Sequence, residues 1–188
     1  MKKLNKTAFA AIIIVTVLAA AFGTGLGLIL HDNKEYRELY ENELIKINLN
    51  GEELGIFTFG QLAELCGGIN EFNAVYKPSR KEPIERKYEG LELKGVLAAL
   101  GIDIAELKSV SFRASDGYPK VFPLSDIQKD NEVFIAVKYG GREFIRGIKP
   151  SGSTYPDEDG GPFVVIKASD VFSNDRVRGL VEINVTLL

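Results

Sequence analysis

The sequence predicts a single strand-rich α+β domain, with a mixed sheet and short helices, behind one membrane-spanning helix. Three observations carry this. Residues 8–30, AFAAIIIVTVLAAAFGTGLGLIL, form an uninterrupted run without a charge. Downstream, short runs of alternating apolar and polar residues are punctuated by Asn50-Gly51, Asp116-Gly117 and Gly140-Gly141, dipeptides suited to tight hairpins. Only two stretches of the domain, after Thr58 and around Leu91, switch to helical spacing.

Composition narrows the possibilities further. With 188 residues, 45% hydrophobic and 26% charged, the chain has room for one ordinary domain and enough apolar residues to bury a core. One Cys permits no internal disulfide, and one Cys plus one His cannot supply a Cys/His zinc site. The net charge of −3 leaves no basic footprint for nucleic acid.

About 20 apolar residues cross a bilayer core as a helix, so residues 8–30 are long enough to span. Lys2, Lys3 and Lys6 precede the run, whereas the flank beyond it is mixed and tilts acidic. The positive-inside rule then puts residues 1–7 in the cytoplasm and everything after Leu30 outside it. A signal peptide cleaved after Ala19-Ala20-Ala21 is the alternative, although the apolar run continues past that site. Gly23 and Gly27 form a GxxxG, which in so Gly- and Ala-rich a segment is more readily chance than a helix-pairing face. Because three lysines fall in the N-terminal cluster, the external part is more acidic than the whole chain and has no attraction for acidic lipid.

Residues 31–42 predict a helical stalk, with Tyr36, Leu39 and Tyr40 at helical spacing, and the domain proper covers 43–188. A first hairpin turns at Asn50-Gly51 between the runs around Ile45 and Ile56. Thr58 and Gln61 then have capping-box spacing for a short helix that Gly67-Gly68 stops. Strands are expected over 69–77 and 84–88, followed by a helix in LELKGVLAALGI closed by Gly101. The second hairpin, around Val110, Phe112 and Val121, turns at Asp116-Gly117 in type I′ geometry. The third joins 133–139 to 142–145 through Gly140-Gly141. Residues 149–162 are a turn-rich loop of a length that is usually functional or mobile, and the last strands are expected over 163–167 and 177–187.

Three pieces in order carry a family resemblance: YEGLELKGVLAALGI at 88–102, VSFRASDGYPKVFPLSD at 110–126, and EVFIAVKYGGREF with GGPFVVI within 132–166. Together with the closing VRGLVEINV, they resemble the molybdopterin-binding domain of the sulfite oxidase family over nearly all of the external domain. The resemblance implies that family's fold and an oxidoreductase that holds molybdenum through one Cys thiolate. It also implies basic residues on the pterin phosphate and an Arg shortly after the Gly-Pro. Cys66 is the only thiol available as metal ligand, but the family's ligand sits later, where this chain has Tyr76, Lys77, Pro78 and Ser79. The position after Gly161-Pro162-Phe163 is Val164, so the Arg is missing.

These departures favour a ligand-binding or interaction module without metal catalysis over a molybdopterin-dependent oxidoreductase that uses Cys66 and a membrane electron-transfer partner. The resemblance puts the Asp116-Gly117-Tyr118 turn near the cofactor pocket, which makes Asp116 and Tyr118 candidate ligand contacts. Arg113, Lys120, Arg142, Arg146 and Lys149 fall in the same third of the chain and are candidates for an anionic ligand, with scattered surface charge as the plainer explanation. A lone Cys at a helix end is more often an inert core residue than a ligand. His31 lies at the membrane boundary, away from any nucleophile, which argues against Ser-His or Cys-His hydrolysis. Asp157, Glu158 and Asp159 lack the alternating spacing of a calcium loop.

Overall fold

The structure is a computed structural model that describes residues 34–77, 82–144, 160–172 and 175–188. The apolar run at 8–30, His31, Pro78, Ser79, Arg146, Lys149 and the acidic run at 157–159 lie outside the described residues. Among the described residues no helix is long and apolar enough to cross a membrane.

Two sheets form, where one mixed sheet was expected. The first, with strand order β2-β1-β11-β5-β6, contains β1 (Leu44–Leu49), β2 (Glu52–Thr58), β5 (Leu107–Ala114), β6 (Pro119–Val121) and β11 (Leu180–Leu187). It is mixed because β1 and β11 run parallel. The second has the order β10-β9-β7-β4-β3, with β8 attached to β7, and all its pairings are antiparallel. Its members are β3 (Asn70–Tyr76), β4 (Ile84–Glu92), β7 (Val133–Tyr139), β8 (Arg142–Glu143), β9 (Val164–Lys167) and β10 (Arg176–Arg178).

The last expected strand is split between the sheets. Gly179, at φ 63, separates β10 from β11. A Cβ there would lie 3.0 Å from Ser115 Oγ and 3.3 Å from the Tyr40 ring, so the positive φ favours glycine and a larger residue would also crowd these side chains. Alternation alone reads straight through such a joint, because the period of two continues on either side.

The main core fills the space between the sheets. Ile45, Ile47, Phe112, Ile183 and Val185 come from the first sheet, and Leu91, Ile135, Val165 and Val177 from the second. Two helices close the gap: α2 (Phe59–Leu65) contributes Leu62, and α3 (Leu93–Ala99) contributes Leu93, Val96 and Leu97. The α2 capping box forms as its sequence predicts, with Thr58 N donating to Gln61 Oε1 at 2.8 Å and Gln61 N to Thr58 Oγ1 at 3.2 Å. At its other end Gly68 N donates to Ala63 O and Gly67 N to Glu64 O, the paired bonds of a Schellman motif. α4 (Leu124–Gln128) and a 3-10 turn at Ile104–Glu106 escape the sequence reading, since they are too short to show a period.

The Asn50-Gly51 and Gly140-Gly141 turns have both central residues at positive φ, as type I′ requires. The Asp116-Gly117 turn differs, because only Gly117 has positive φ. Gly117 N donates to Ala114 O and Ala114 N to Tyr118 O, so the loop has three residues and a bulge at the glycine. The helix over residues 34–41, here α1, is no free stalk: Tyr36 and Leu39 are buried against Val181 on the outer face of the first sheet.

The second sheet rolls up. β10 and β3 stand at opposite ends of its strand order, yet Arg176 Nη2 on β10 donates to the Val75 carbonyl on β3 at 2.9 Å. Its concave face encloses a smaller core of Phe72, Ala74, Tyr88, Phe134, Ala136, Phe144, Val164 and Ile166. Phe72 and Phe134 stack at 3.9 Å there across the intervening β4. This explains how that face is buried by its own strands.

Candidate functional site

The residues named from sequence lie in three separate places. Cys66 is the C-cap of α2, with φ −82 and ψ −5 and its N–H donated to Leu62 O at 3.0 Å. Its side chain is half-buried against the main core, and burial pushes the thiol above its ordinary pKa. Asp116 and Tyr118 share the β5–β6 turn, where Asp116 Oδ1 accepts from Tyr118 N at 2.9 Å and the Tyr118 side chain points to solvent at 64% exposure. Arg142 stands in the β7–β8 hairpin, its guanidinium 5.4 Å from the Tyr139 ring. Among the described residues no hydrogen bond, ion pair or ring contact joins Cys66, the Asp116 turn and Arg142.

Of the basic residues proposed from chain order, Arg113 and Lys120 are each ion-paired, whereas Arg142 lies against a tyrosine ring. Lys120 pairs with Asp175 at 2.7 Å. Arg113 Nε lies 3.3 Å from Glu182 Oε1, an ion pair whose angle falls outside the hydrogen-bond range. Glu182 belongs to a polar ladder across the outer face of the first sheet. Register aligns Lys46, Glu182 and Arg113, and Asn48 donates to Asn184, which donates to Glu182, each at 2.7 Å. The ladder ties β1, β11 and β5 together through side chains that the strand register aligns.

A thiolate ligand to molybdenum must lose its proton, which a positive neighbour or a metal assists. Cys66 faces apolar side chains and its environment favours the neutral thiol. Val164 is 1% exposed and packed inside the rolled sheet, so the place of the family's Arg is filled by core. Among the described residues no group of three His, Cys, Asp or Glu side chains converges on one point. A recess lined by Glu43, Val137, Glu143, Phe144, Pro162 and Phe163 has a volume of about 60 Å³, room for a few waters and far below an organic-ligand site. Among the described residues, the apolar surroundings of Cys66 do not favour the thiolate that a molybdopterin centre would need.

A cluster that sequence reasoning missed does assemble, at the mouth of the rolled sheet. The Arg86 guanidinium lies 4.5 Å from the Tyr76 ring and 5.2 Å from Tyr139, and that of Arg176 lies 5.4 Å from Tyr76 and 5.2 Å from Tyr88. With Arg142 on Tyr139, three guanidinium groups and three tyrosines alternate in one ladder. Its members come from β3, β4, β7, β8 and β10, positions far apart in the chain. The only local signal was Arg86 and Tyr88 two residues apart on one strand face.

A second polar group lies where α4 meets β9. Glu132, 3% exposed, accepts from Lys129 at 2.6 Å and from Ser169. Burial would raise its pKa, but those hydrogen bonds and the Lys129 charge prevail and hold the carboxyl below its ordinary value. Lys167 is bonded to Asp126 at 2.7 Å, and that bond holds its pKa up. Each charge here has an opposite partner, which marks the group as structural.

No family model and no curated protein matches the chain. Among solved structures, its fold is similar to that of the sulfane dehydrogenase SoxCD from Paracoccus pantotrophus, with TM-score 0.56 and 17% identity. The match covers 78% of this chain and 39% of that one, so the chain spans about two fifths of the length of its structural neighbour. At this identity the likeness shows a shared fold, consistent with the sulfite-oxidase-like fold expected from the motifs.

Proposed function

We propose that this chain is a membrane-anchored, extracytoplasmic binding or interaction module that uses a sulfite-oxidase-like fold without molybdenum chemistry. The observation that carries this reading is Cys66. The only thiol of the chain belongs to the residue whose backbone caps α2, and it is half-buried against the core, where burial raises its pKa. The rival, a molybdopterin-dependent oxidoreductase, needs a thiolate there and an Arg where Val164 is buried. The anchor rests on the uncharged run at 8–30 behind Lys2, Lys3 and Lys6, and the partner is then a membrane or extracytoplasmic protein.

Metal analysis of the full chain purified from its native membranes tests the first half. Far less than one molybdenum per chain is expected, and a stoichiometric amount lost in Cys66→Ala would establish the oxidoreductase instead. Protease added to intact cells or protoplasts tests the second half. Digestion of everything beyond Leu30 to leave a membrane-bound stub is expected; protection of the domain would reverse the orientation, and a soluble product starting near Phe22 would show a cleaved signal.

A further inference from the structure

We infer that β2 is a self-pairing edge, through which two copies of this chain join, antiparallel about a two-fold axis, into one continuous sheet. This rests on the reading of the chain as a membrane-anchored interaction module and takes a second copy as the partner. A strand with one neighbour directs the N–H and C=O of every second residue outward, and proteins ordinarily blunt such edges with short strands, proline, charge or a covering element. Among the described residues the other sheet ends are blunted: β6 has three residues and begins with Pro119, while Arg176 links β10 to β3 across the roll. β2 spans seven residues without proline, pairs only with β1, and runs into the uncharged stretch LGIFTF at 54–59. Its guards, Glu52, Glu53 and a bulge at Leu54, stand in its first half and leave 55–58 open. Leu54 and Ile56 are 41% and 44% exposed there, apolar side chains left in water on an open edge.

The segment is complementary to itself. An axis centred on Ile56 sets Ile56 against Ile56 of the second copy, Gly55 against Phe57 and Leu54 against Thr58. Glu52 and Glu53 then fall opposite Gly60 and Phe59, away from their counterparts, so no like charges meet. The anchor favours the same occupant. A two-fold between antiparallel neighbours stands perpendicular to their sheet, so both copies turn the same face the same way. On the outer face Tyr36 and Leu39 of α1 pack against Val181, and only residues 31–33 separate α1 from the uncharged run at 8–30. Two copies joined at β2 thus carry α1 on a common side, as two chains anchored in one bilayer must. A few residues of edge bury less than the roughly 800 Å² per partner of a stable free complex, and confinement to one membrane compensates by raising the effective concentration.

The test uses the full chain in its native membranes with Cys66→Ala, which removes the one native thiol. Directly opposed residues of antiparallel strands have Cα atoms about 4.5–5.5 Å apart, inside the range of about 4.4–6.8 Å that a disulfide spans. Oxidation with copper–phenanthroline should therefore link Ile56→Cys into a dimer. Leu54→Cys is about equally exposed, but four positions, roughly 13 Å, would separate it from its counterpart, and it should cross-link at least about tenfold less. In a second measurement, chains carrying donor or acceptor dyes on Leu188→Cys are reconstituted into vesicles. Energy transfer above random mixing is expected, and Ile56→Lys, which sets two lysines against each other, should remove it. Far-UV circular dichroism confirms that each variant is folded. Equal cross-linking at the two positions, none at either, or a cross-link to a different protein overturns the proposal. So does energy transfer that Ile56→Lys leaves unchanged, the sign of pairing through residues 8–30 alone. None of these readouts depends on molybdenum content or protease access, so self-pairing and the reading it rests on fail separately.

Discussion

Replacing Arg176 with Gln should unlatch the rolled sheet. Arg176 Nη2 donates to Val75 O at 2.9 Å and to the Tyr88 hydroxyl at 3.0 Å, and the guanidinium also lies against the Tyr76 and Tyr88 rings. Hydrogen bonds from a charged donor contribute about 1.5–3 kcal/mol each, and a cation–π contact about 0.5–1 kcal/mol where water has access. The contacts share one side chain and Arg176 is only half-buried, so they do not add fully; a loss of about 3 kcal/mol is expected. For a domain of this size that lowers the melting temperature by about 6–12 °C. Arg176→Lys keeps the charge but loses the fork, and should fall between the two. The assay is thermal unfolding of the full chain in detergent by far-UV circular dichroism. Near-UV circular dichroism of tyrosine adds a local reading, since the chain has no tryptophan and three of its seven tyrosines surround this site. Hydrogen exchange should rise in β3 and β10 while β1 and β11 stay protected. A variant that melts within about 2 °C of the wild type, with unchanged exchange in β3, would refute the closure.

Cys66→Ala should cost only about 1 kcal/mol, Cys66→Ser somewhat more, and a maleimide should label the native protein slowly and the denatured protein fast. Because its folded pKa is raised, Cys66 contributes stability that is complete below the unfolded value, near 9.0, and is lost as pH rises above it. Denaturation followed between pH 8 and 10 reads that loss, which Cys66→Ala should abolish. Glu132 has the opposite sign. Its lowered pKa gives stability present above the unfolded value and lost as pH falls through the folded one, so Ser169→Ala and Lys129→Met should each shift the acid midpoint upward. Gly179→Ala should destabilise by about 1–3 kcal/mol from its positive φ and crowding against Ser115 and Tyr40, measurable by urea unfolding; a neutral result would show that the joint between the sheets relaxes freely.

Local chemistry was legible wherever a few neighbouring residues settle the outcome. The capping box at Thr58 and Gln61, the glycine stop at Gly67-Gly68 and the paired positive-φ turns at Asn50-Gly51 and Gly140-Gly141 all form as their residue types demand. The α+β character and the alternation that buries Ile45, Ile47, Ile183 and Val185 were readable for the same reason, since side-chain period is a property of the backbone. The short motifs also pointed to a sulfite-oxidase-like fold, with which the structural likeness agrees. Tertiary structure decided what depends on partners distant in sequence. Pairing with β7 carried β4 through Leu91 to Glu92, taking residues that helical spacing had assigned to α3. Packing against Val181 drew α1 onto the domain. The partition into two sheets, the roll that brings β10 to β3, and the meeting of Arg86, Arg142 and Arg176 around three tyrosines arise only when the strands are paired. Period and propensity specify which face of a strand is apolar, whereas which strands share a sheet is set by packing energies between residues as far as 136 positions apart, and no local window of sequence contains those.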